Sequence, residues 1–77
     1  MTAAAKIAAK INSQSETDAM AVYTAIRIEH AKARRAGADH ASGLMQVMAM
    51  AGDALLRRIG EDRFDALVYA VDAQIYA

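Results

Sequence analysis

The sequence contains no cysteine, proline or tryptophan, and it has a single phenylalanine. Without cysteine, the chain cannot form disulfides, thiol nucleophiles or cysteine-ligated zinc sites. Without proline, no residue breaks a helix from within by removing a backbone donor. No stretch approaches the roughly 20 uninterrupted apolar residues of a membrane span, so we expect no membrane-spanning segment.

A thin hydrophobic core follows from the length and the residue types. The chain has 77 residues, about a quarter of them alanine. A domain of this size buries only about 60% of the surface that its unfolded chain exposes. Because alanine adds little burial, a partner or a second copy of the chain would add stability.

The first ten residues carry Lys6 and Lys10 inside their apolar run. This pattern lacks the continuous hydrophobic segment of a secretory signal. Together with the absence of cysteine, which fits a reducing compartment, it leads us to expect a cytoplasmic protein.

Apolar residues recur at helical spacing along nearly the whole chain. The pattern predicts helices over residues 2–12, over residues 16–36, from an Asp39 cap to Ile59, and from residue 61 to the chain end. Short connections make consecutive helices antiparallel neighbours. We therefore predict an all-α fold, a small antiparallel three-helix bundle preceded by a short N-terminal helix. Residues 1–14 would form this arm and linker, and residues 15–77 the bundle domain.

Specific residues mark the expected helix ends. Ser15 and Asp18 approximate a capping box at the start of the second helix. Gly37 suits the left-handed conformation that often ends a helix, and the third helix is expected to stop at Gly60. Asp39 is placed to cap the third helix through its side chain.

The third helix is apolar over more than half of its circumference, which predicts a central position. Its main stripe is Leu44, Met48, Ala51, Leu55 and Ile59. Gly43 and Gly52 each cost about 1 kcal/mol relative to alanine, so we expect them to allow close backbone approach, unless Gly43 marks a later helix start. The methionines Met45, Met48 and Met50 fill the core or form an adaptable binding surface.

The fourth helix has three different sides. The core stripe is expected to contain Phe64, Leu67, Val68, Val71 and Ile75. A second side, here called the alanine flank, consists of Ala66, Ala70, Ala73 and Ala77. It is smooth enough for another helix to approach closely.

The third side, here called the acidic–tyrosine flank, consists of Asp65, Tyr69, Asp72 and Tyr76. Tyrosine buries ring area while keeping a polar tip, and it is enriched at interfaces. We therefore take this flank as the candidate surface for a basic partner. The alternative is that the carboxylates are merely solvated and the rings cover a neighbouring helix.

The second helix carries a stripe expected to face the core, namely Ala19, Val22, Tyr23, Ile26, His30 and Ala33. His30 is expected there as a hydrogen-bonded packing residue. A second strip, Ala21, Ala25 and Ile28, is either covered by the N-terminal helix or open to a partner.

Basic residues cluster near the end of the second helix. Arg27, Lys32, Arg34 and Arg35 are candidates for contact with nucleic acid or with an acidic partner. They also complement the helix dipole without any partner. Residues 1–37 contain six basic and three acidic groups, and residues 38–77 contain three basic and six acidic groups. This split predicts neutralisation within the fold, between subunits or with partners.

No motif of catalysis is present in the sequence. It has no glycine-rich phosphate loop, nucleophile elbow, histidine metal pair or inward pair of carboxylates. We therefore expect neither an enzyme nor a metal or other cofactor.

In size and all-helical form, the chain resembles the small proteins that phages and mobile elements use to block host machinery, anti-CRISPR inhibitors among them. Many antitoxins and adaptors share this gross form. The hypothesis is a non-enzymatic protein that binds a protein or nucleoprotein through preformed helix faces. If that target normally holds DNA or RNA, the acidic flank would occupy the nucleic-acid site by resembling a phosphate strand. The alternatives are a nucleic-acid-binding or regulatory protein that uses the basic second helix, and a homo-oligomer such as a homodimer joined through Ala66, Ala70 and Ala73.

Overall fold

The computed structural model describes residues 2–77. Across this range the chain forms four α-helices and no strand: α1 (Ala3–Ser13), α2 (Glu16–Arg35), α3 (Ala41–Ile59) and α4 (Glu61–Ile75). The predicted all-α bundle with a short N-terminal helix is confirmed. No helix in the described range combines the length and hydropathy that crossing a membrane requires.

The first two helices begin at side-chain caps. The Thr2 hydroxyl accepts a hydrogen bond from the Ala5 amide, and the Ser15 hydroxyl accepts one from the Asp18 amide, each at 3.1 Å. These caps satisfy amide groups that have no partner within the helix. The predicted role of Ser15 at the start of α2 is therefore confirmed.

The end of α2 is a Schellman motif centred on Gly37. Gly37 has a φ of 64°. Its amide donates to the Arg34 carbonyl at 3.1 Å, and the Ala38 amide donates to the Ala33 carbonyl at 2.9 Å. This pattern ends a helix by satisfying its last carbonyl groups, and it favours glycine at the left-handed residue. The sequence signal at Gly37 is confirmed.

The predicted cap of the third helix is wrong. α3 begins at Ala41, and no side chain caps its first turn. The residue before it is His40, which already has a helical backbone conformation (φ −78°, ψ −1°). A backbone turn leads into the helix instead, because the Ala41 amide donates to the Ala38 carbonyl at 3.1 Å. Asp39 is therefore one residue too early to act as the cap.

α3 is the central helix and contacts each of the other three. Leu55 and Ala51 on α3, and Ile11 on α1, are completely buried. Ile7 of α1 packs against the same core. The Cα atoms span 33 × 32 × 17 Å, so the bundle is flat, as a thin core predicts.

Gly52 permits a close approach between helices, as predicted. A Cβ atom at this position would lie 3.1 Å from Tyr23 Cε1 and 3.5 Å from Phe64 Cζ. The two rings pack against each other with centroids 5.3 Å apart. The corresponding prediction for Gly43 is wrong, because a Cβ there would meet nothing within 4 Å.

Candidate partner-binding surfaces

One side of α4 is anchored in the bundle. Val71 is buried, and Phe64, Leu67 and Val68 pack against the core. At about 100° per residue, these positions leave both flanks of the helix turned away from the core. The helix is therefore a preformed support for the side chains on its outer surface.

Asp65 and Tyr69 form an outward pair, separated by one turn of α4. Tyr69 is 80% exposed, and Asp65 is also exposed. Among residues 2–77, no hydrogen bond or ion pair engages either side chain. An exposed ring on an ordered helix, with a free carboxylate beside it, is available to an external partner.

Asp72 has a different environment from Asp65. Arg27 Nη2 lies 2.8 Å from both carboxylate oxygens of Asp72, and Arg27 Nε donates to Oδ1 at 3.1 Å. Arg27 Nη1 also donates to the Tyr23 hydroxyl at 3.1 Å. Burial opposes the charged form of Arg27, but the hydrogen bonds to Asp72 and Tyr23 outweigh it and raise its pKa. The Arg27–Asp72 ion pair is partly buried and joins α2 to α4.

Tyr76 is 70% exposed, but it adjoins the end of α2. The Arg35 guanidinium lies over its ring, 5.6 Å from the ring centroid. Arg35 Nη2 also donates to the Ile75 carbonyl at 2.5 Å. Cationic groups favour both the face of an aromatic ring and the carbonyl end of a helix. The acidic–tyrosine flank thus divides into the outward pair and two residues engaged with α2.

The four basic candidates on α2 also differ from one another. Arg27 is committed to Asp72, and Lys32 lies 3.5 Å from Glu29 in an exposed pair. Arg35 contacts the end of α4, as described. Arg34 is exposed and makes no ion pair or side-chain hydrogen bond within residues 2–77. Of these four, Arg34 has the freest guanidinium.

His30 occupies the packing position that the sequence predicts, and only 7% of it is exposed. The expected hydrogen bond is missing among residues 2–77. The ring lines a cavity between α2, the first half of α3 and the end of α4. Sequence periodicity could place this histidine inward, but it could not show that the ring would lack a partner.

The second apolar strip of α2 remains largely uncovered. Ala21 and Ala25 are exposed, and Ile28 is half-buried. α1 therefore does not cover Ala21 and Ala25, and its residues Ile7 and Ile11 pack in the core instead. On α4, the alanine flank is exposed at Ala66, Ala70 and Ala73, whereas Ala77 lies beyond the end of the helix at Ile75.

Among residues 2–77, no three histidine, aspartate or glutamate side chains are grouped so as to hold a metal ion. Comparison of the chain with protein-family models, with curated proteins and with solved structures found no significant match.

Proposed function

We propose that this protein is not an enzyme and that it binds a protein or nucleoprotein partner through the acidic–tyrosine flank of α4. The observation that carries the proposal is Tyr69, which is 80% exposed on a helix anchored by its opposite side. Tyrosine is enriched among the few residues that dominate binding energy at interfaces. Tyr69 is the proposed anchor, and Asp65 its adjacent charged contact.

The order of α4 before binding supports this role. Val71 buries its side chain in the bundle, and Asp72 is held by Arg27. A partner would therefore dock on a helix that is already formed. Less conformational entropy is lost on binding than if the helix had to fold there. In this proposal, Asp72 and Tyr76 position the flank, while Asp65 and Tyr69 meet the partner first.

The charge of α4 favours a basic partner site. Glu61, Asp62 and Asp65 are exposed and form no ion pair within residues 2–77. The one basic residue of the helix, Arg63, pairs instead with Glu16 at 2.6 Å. Complementary charge speeds encounter and selects the partner. Where the partner site normally holds DNA or RNA, these carboxylates would take the place of phosphates, and the protein would act as an inhibitor of that partner.

The proposal is tested by capture from an extract of the cells that encode the protein. The test variant is Asp65→Lys combined with Tyr69→Ala, and Asp72 is left intact because it holds α2 and α4 together. The control combines Asp39→Lys with Met50→Ala, which makes the same charge change and removes an exposed apolar side chain elsewhere.

We expect the wild type and the control to retain a common basic protein or nucleoprotein, and the test variant to lose it. Loss of a hot-spot anchor of about 2 kcal/mol weakens binding by roughly 30-fold. Equal retention by the test variant would exclude this surface. Circular dichroism of both variants checks that the total helix content matches that of the wild type.

A second candidate is a homo-oligomer joined through Ala66, Ala70 and Ala73, which are all exposed. Small side chains let two helices pack at the short end of the usual 8–10 Å separation. Antiparallel pairing of two α4 helices would also set the acidic first turn of one copy near Arg35 at the end of the other. Light scattering should then give a fixed multimer that Ala70→Glu with Ala73→Glu converts to monomers; a multimer that persists excludes this interface.

A further inference from the structure

Two adjoining cavities lie where the C-terminal half of α2 meets the start of α3 and the end of α4. The inner cavity is about 170 Å³, and its wall includes His30, Arg34, Met45 and Tyr76. The outer cavity is bounded by Ala31, Arg34, Arg35 and Tyr76. Arg34 and Tyr76 line both cavities, which together are called the basic cleft here.

His30 is the first sign that the basic cleft accepts a ligand. The residue is more than nine-tenths buried, and no residue in the described range 2–77 forms a hydrogen bond with its ring. The ring nitrogens are not among the fully buried unpaired atoms of residues 2–77, so they remain accessible from the cavity that His30 lines. A ligand with acceptor oxygens would supply the missing partner.

The charge balance of the cleft favours an anion. Arg34 brings a guanidinium with no partner among residues 2–77, and Arg35 brings a second one held against Tyr76 and the Ile75 carbonyl. Asp72 also lines the inner cavity, but Arg27 donates hydrogen bonds to both of its carboxylate oxygens. The carboxylate is thus neutralised, and the cleft keeps an excess of positive charge.

The size of the inner cavity limits what enters it. Sites for whole small-molecule ligands are usually about 300–1,000 Å³, and this one is about 170 Å³. It therefore suits a charged end group, with the rest of the ligand outside. The Tyr76 ring, which is 70% exposed and lines both cavities, gives that remaining part a surface on which a base can stack.

We propose that the basic cleft binds a phosphate group carried by a nucleotide or a nucleic acid. Phosphate offers three or more acceptor oxygens, enough for Arg34 and the His30 imidazole together, and guanidinium groups match it in bidentate geometry. A carboxylate also accepts hydrogen bonds from such groups, but the phosphate of a nucleotide or nucleic acid is joined to a base that can meet the Tyr76 ring. This site is separate from the Asp65 and Tyr69 surface, so either proposal can fail without the other.

The first test is an NMR titration of the full chain with inorganic phosphate, and with acetate at the same ionic strength. We expect the side-chain signals of His30 and Arg34 to shift saturably with phosphate and much less with acetate. An absence of saturable shifts would overturn the proposal. Equal or stronger binding of acetate would also overturn it and would assign the cleft to acidic peptides.

The second test compares Arg34→Gln with Arg57→Gln. Both arginines are exposed, but Arg57 lies on α3 in an exposed pair with Asp53. Losing a charge-assisted hydrogen bond should weaken phosphate binding by about tenfold in the Arg34 variant. Binding by the Arg57 variant should match the wild type. Equal weakening of both would show general charge attraction and overturn the proposal.

The third test identifies the carrier of the phosphate by comparing a nucleoside monophosphate with a short single-stranded oligonucleotide. Tighter binding of the mononucleotide than of inorganic phosphate would assign a nucleotide site, and still tighter binding of the oligonucleotide would assign a nucleic-acid site. In either case Tyr76→Leu should remove the gain. Binding of neither carrier would overturn the proposal.

Discussion

Arg27 and Asp72, which are 45 residues apart in the chain, form an ion pair in which Arg27 Nη2 lies 2.8 Å from each carboxylate oxygen of Asp72. The pair joins a cation from the basic half of the sequence to an anion from the acidic half. Both residues were candidates for external contacts, and both have a partner inside the fold. The pair also fixes α4 against α2, which leaves Asp65, Tyr69 and Arg34 as the freest charged or aromatic groups among the candidates.

Removing the carboxylate charge at position 72 should destabilise the fold. We expect Asp72→Asn to lower the free energy of unfolding by about 1 kcal/mol. Hydrogen bonds between charged groups contribute more than this when buried, but the pair is partly exposed and solvent weakens it. Asp65→Asn, on the same helix but without a partner, should stay within about 0.5 kcal/mol of the wild type. Urea unfolding of the three proteins measures the difference, and equal stabilities would contradict a structural role for the pair.

The stability that Arg27 contributes to the fold should not change with pH over the neutral range. Burial opposes the charge, but the hydrogen bonds to Asp72 and Tyr23 raise the pKa of Arg27 above its usual value. A raised folded-state pKa gives stability that is present below the unfolded pKa and lost as pH rises through the folded one. That loss is confined to strong alkali, so deprotonation of Arg27 plays no part in unfolding near neutral pH.

Two glycines of α3 provide a matched test of close packing. Gly52→Ala should destabilise the protein by about 1–3 kcal/mol, because the new methyl group meets the buried Tyr23 ring at 3.1 Å. Gly43→Ala should instead stabilise it by up to about 1 kcal/mol, because open space surrounds that position and alanine is the better helix former. Thermal unfolding measures both variants, and changes of the same sign would contradict the packing described at Gly52.

The helix caps allow a similar comparison. Ser15→Ala removes the side-chain acceptor that bonds the Asp18 amide, and it should cost about 1 kcal/mol. Asp39→Ala should be nearly neutral, because Asp39 does not cap α3. If chemical denaturation showed that the Asp39 variant lost as much stability as the Ser15 variant, the observed start of α3 would be wrong.

Gly60 joins α3 to α4 in a conformation with φ 89° and ψ 162°, which is almost restricted to glycine. Gly60→Ala should therefore lower stability by about 1–3 kcal/mol, although the position has open space for a methyl group. Differential scanning calorimetry of the Gly60→Ala variant, with Gly43→Ala as the comparison, measures this backbone effect. A thermal unfolding midpoint of the Gly60 variant above that of the wild type would contradict this prediction.

Local signals predicted most of the fold. Ser15, Gly37 and Gly60 act through their own backbone and side-chain chemistry, so their positions could be read from neighbouring residues alone. Asp39 could not be assigned correctly, because the turn that follows Gly37 determines which residue precedes α3. Helix propensity singled out Gly43 and Gly52 alike, and only the packing of α3 against Tyr23 and Phe64 distinguishes Gly52 from Gly43.

The candidate surfaces were less predictable. Helical periodicity placed Tyr69 and Asp72 on the same flank, 60° apart at 100° per residue. Their different environments depend on how α4 packs against α2, and this packing brings Asp72 to Arg27 while Tyr69 remains exposed. The unpaired ring of His30 likewise depends on three helices at once. Such relationships follow from tertiary packing, which the pattern of a single helix does not specify.

The most direct test of partner binding is an NMR footprint of the isotope-labelled chain with the captured partner. The account predicts that the largest changes fall on the outer surface of α4, at Asp65, Tyr69 and the adjoining Ala66, while signals of the buried core change little. Changes confined to α1 and α3, with the Tyr69 signals unaffected, would contradict the central claim that α4 presents the binding surface.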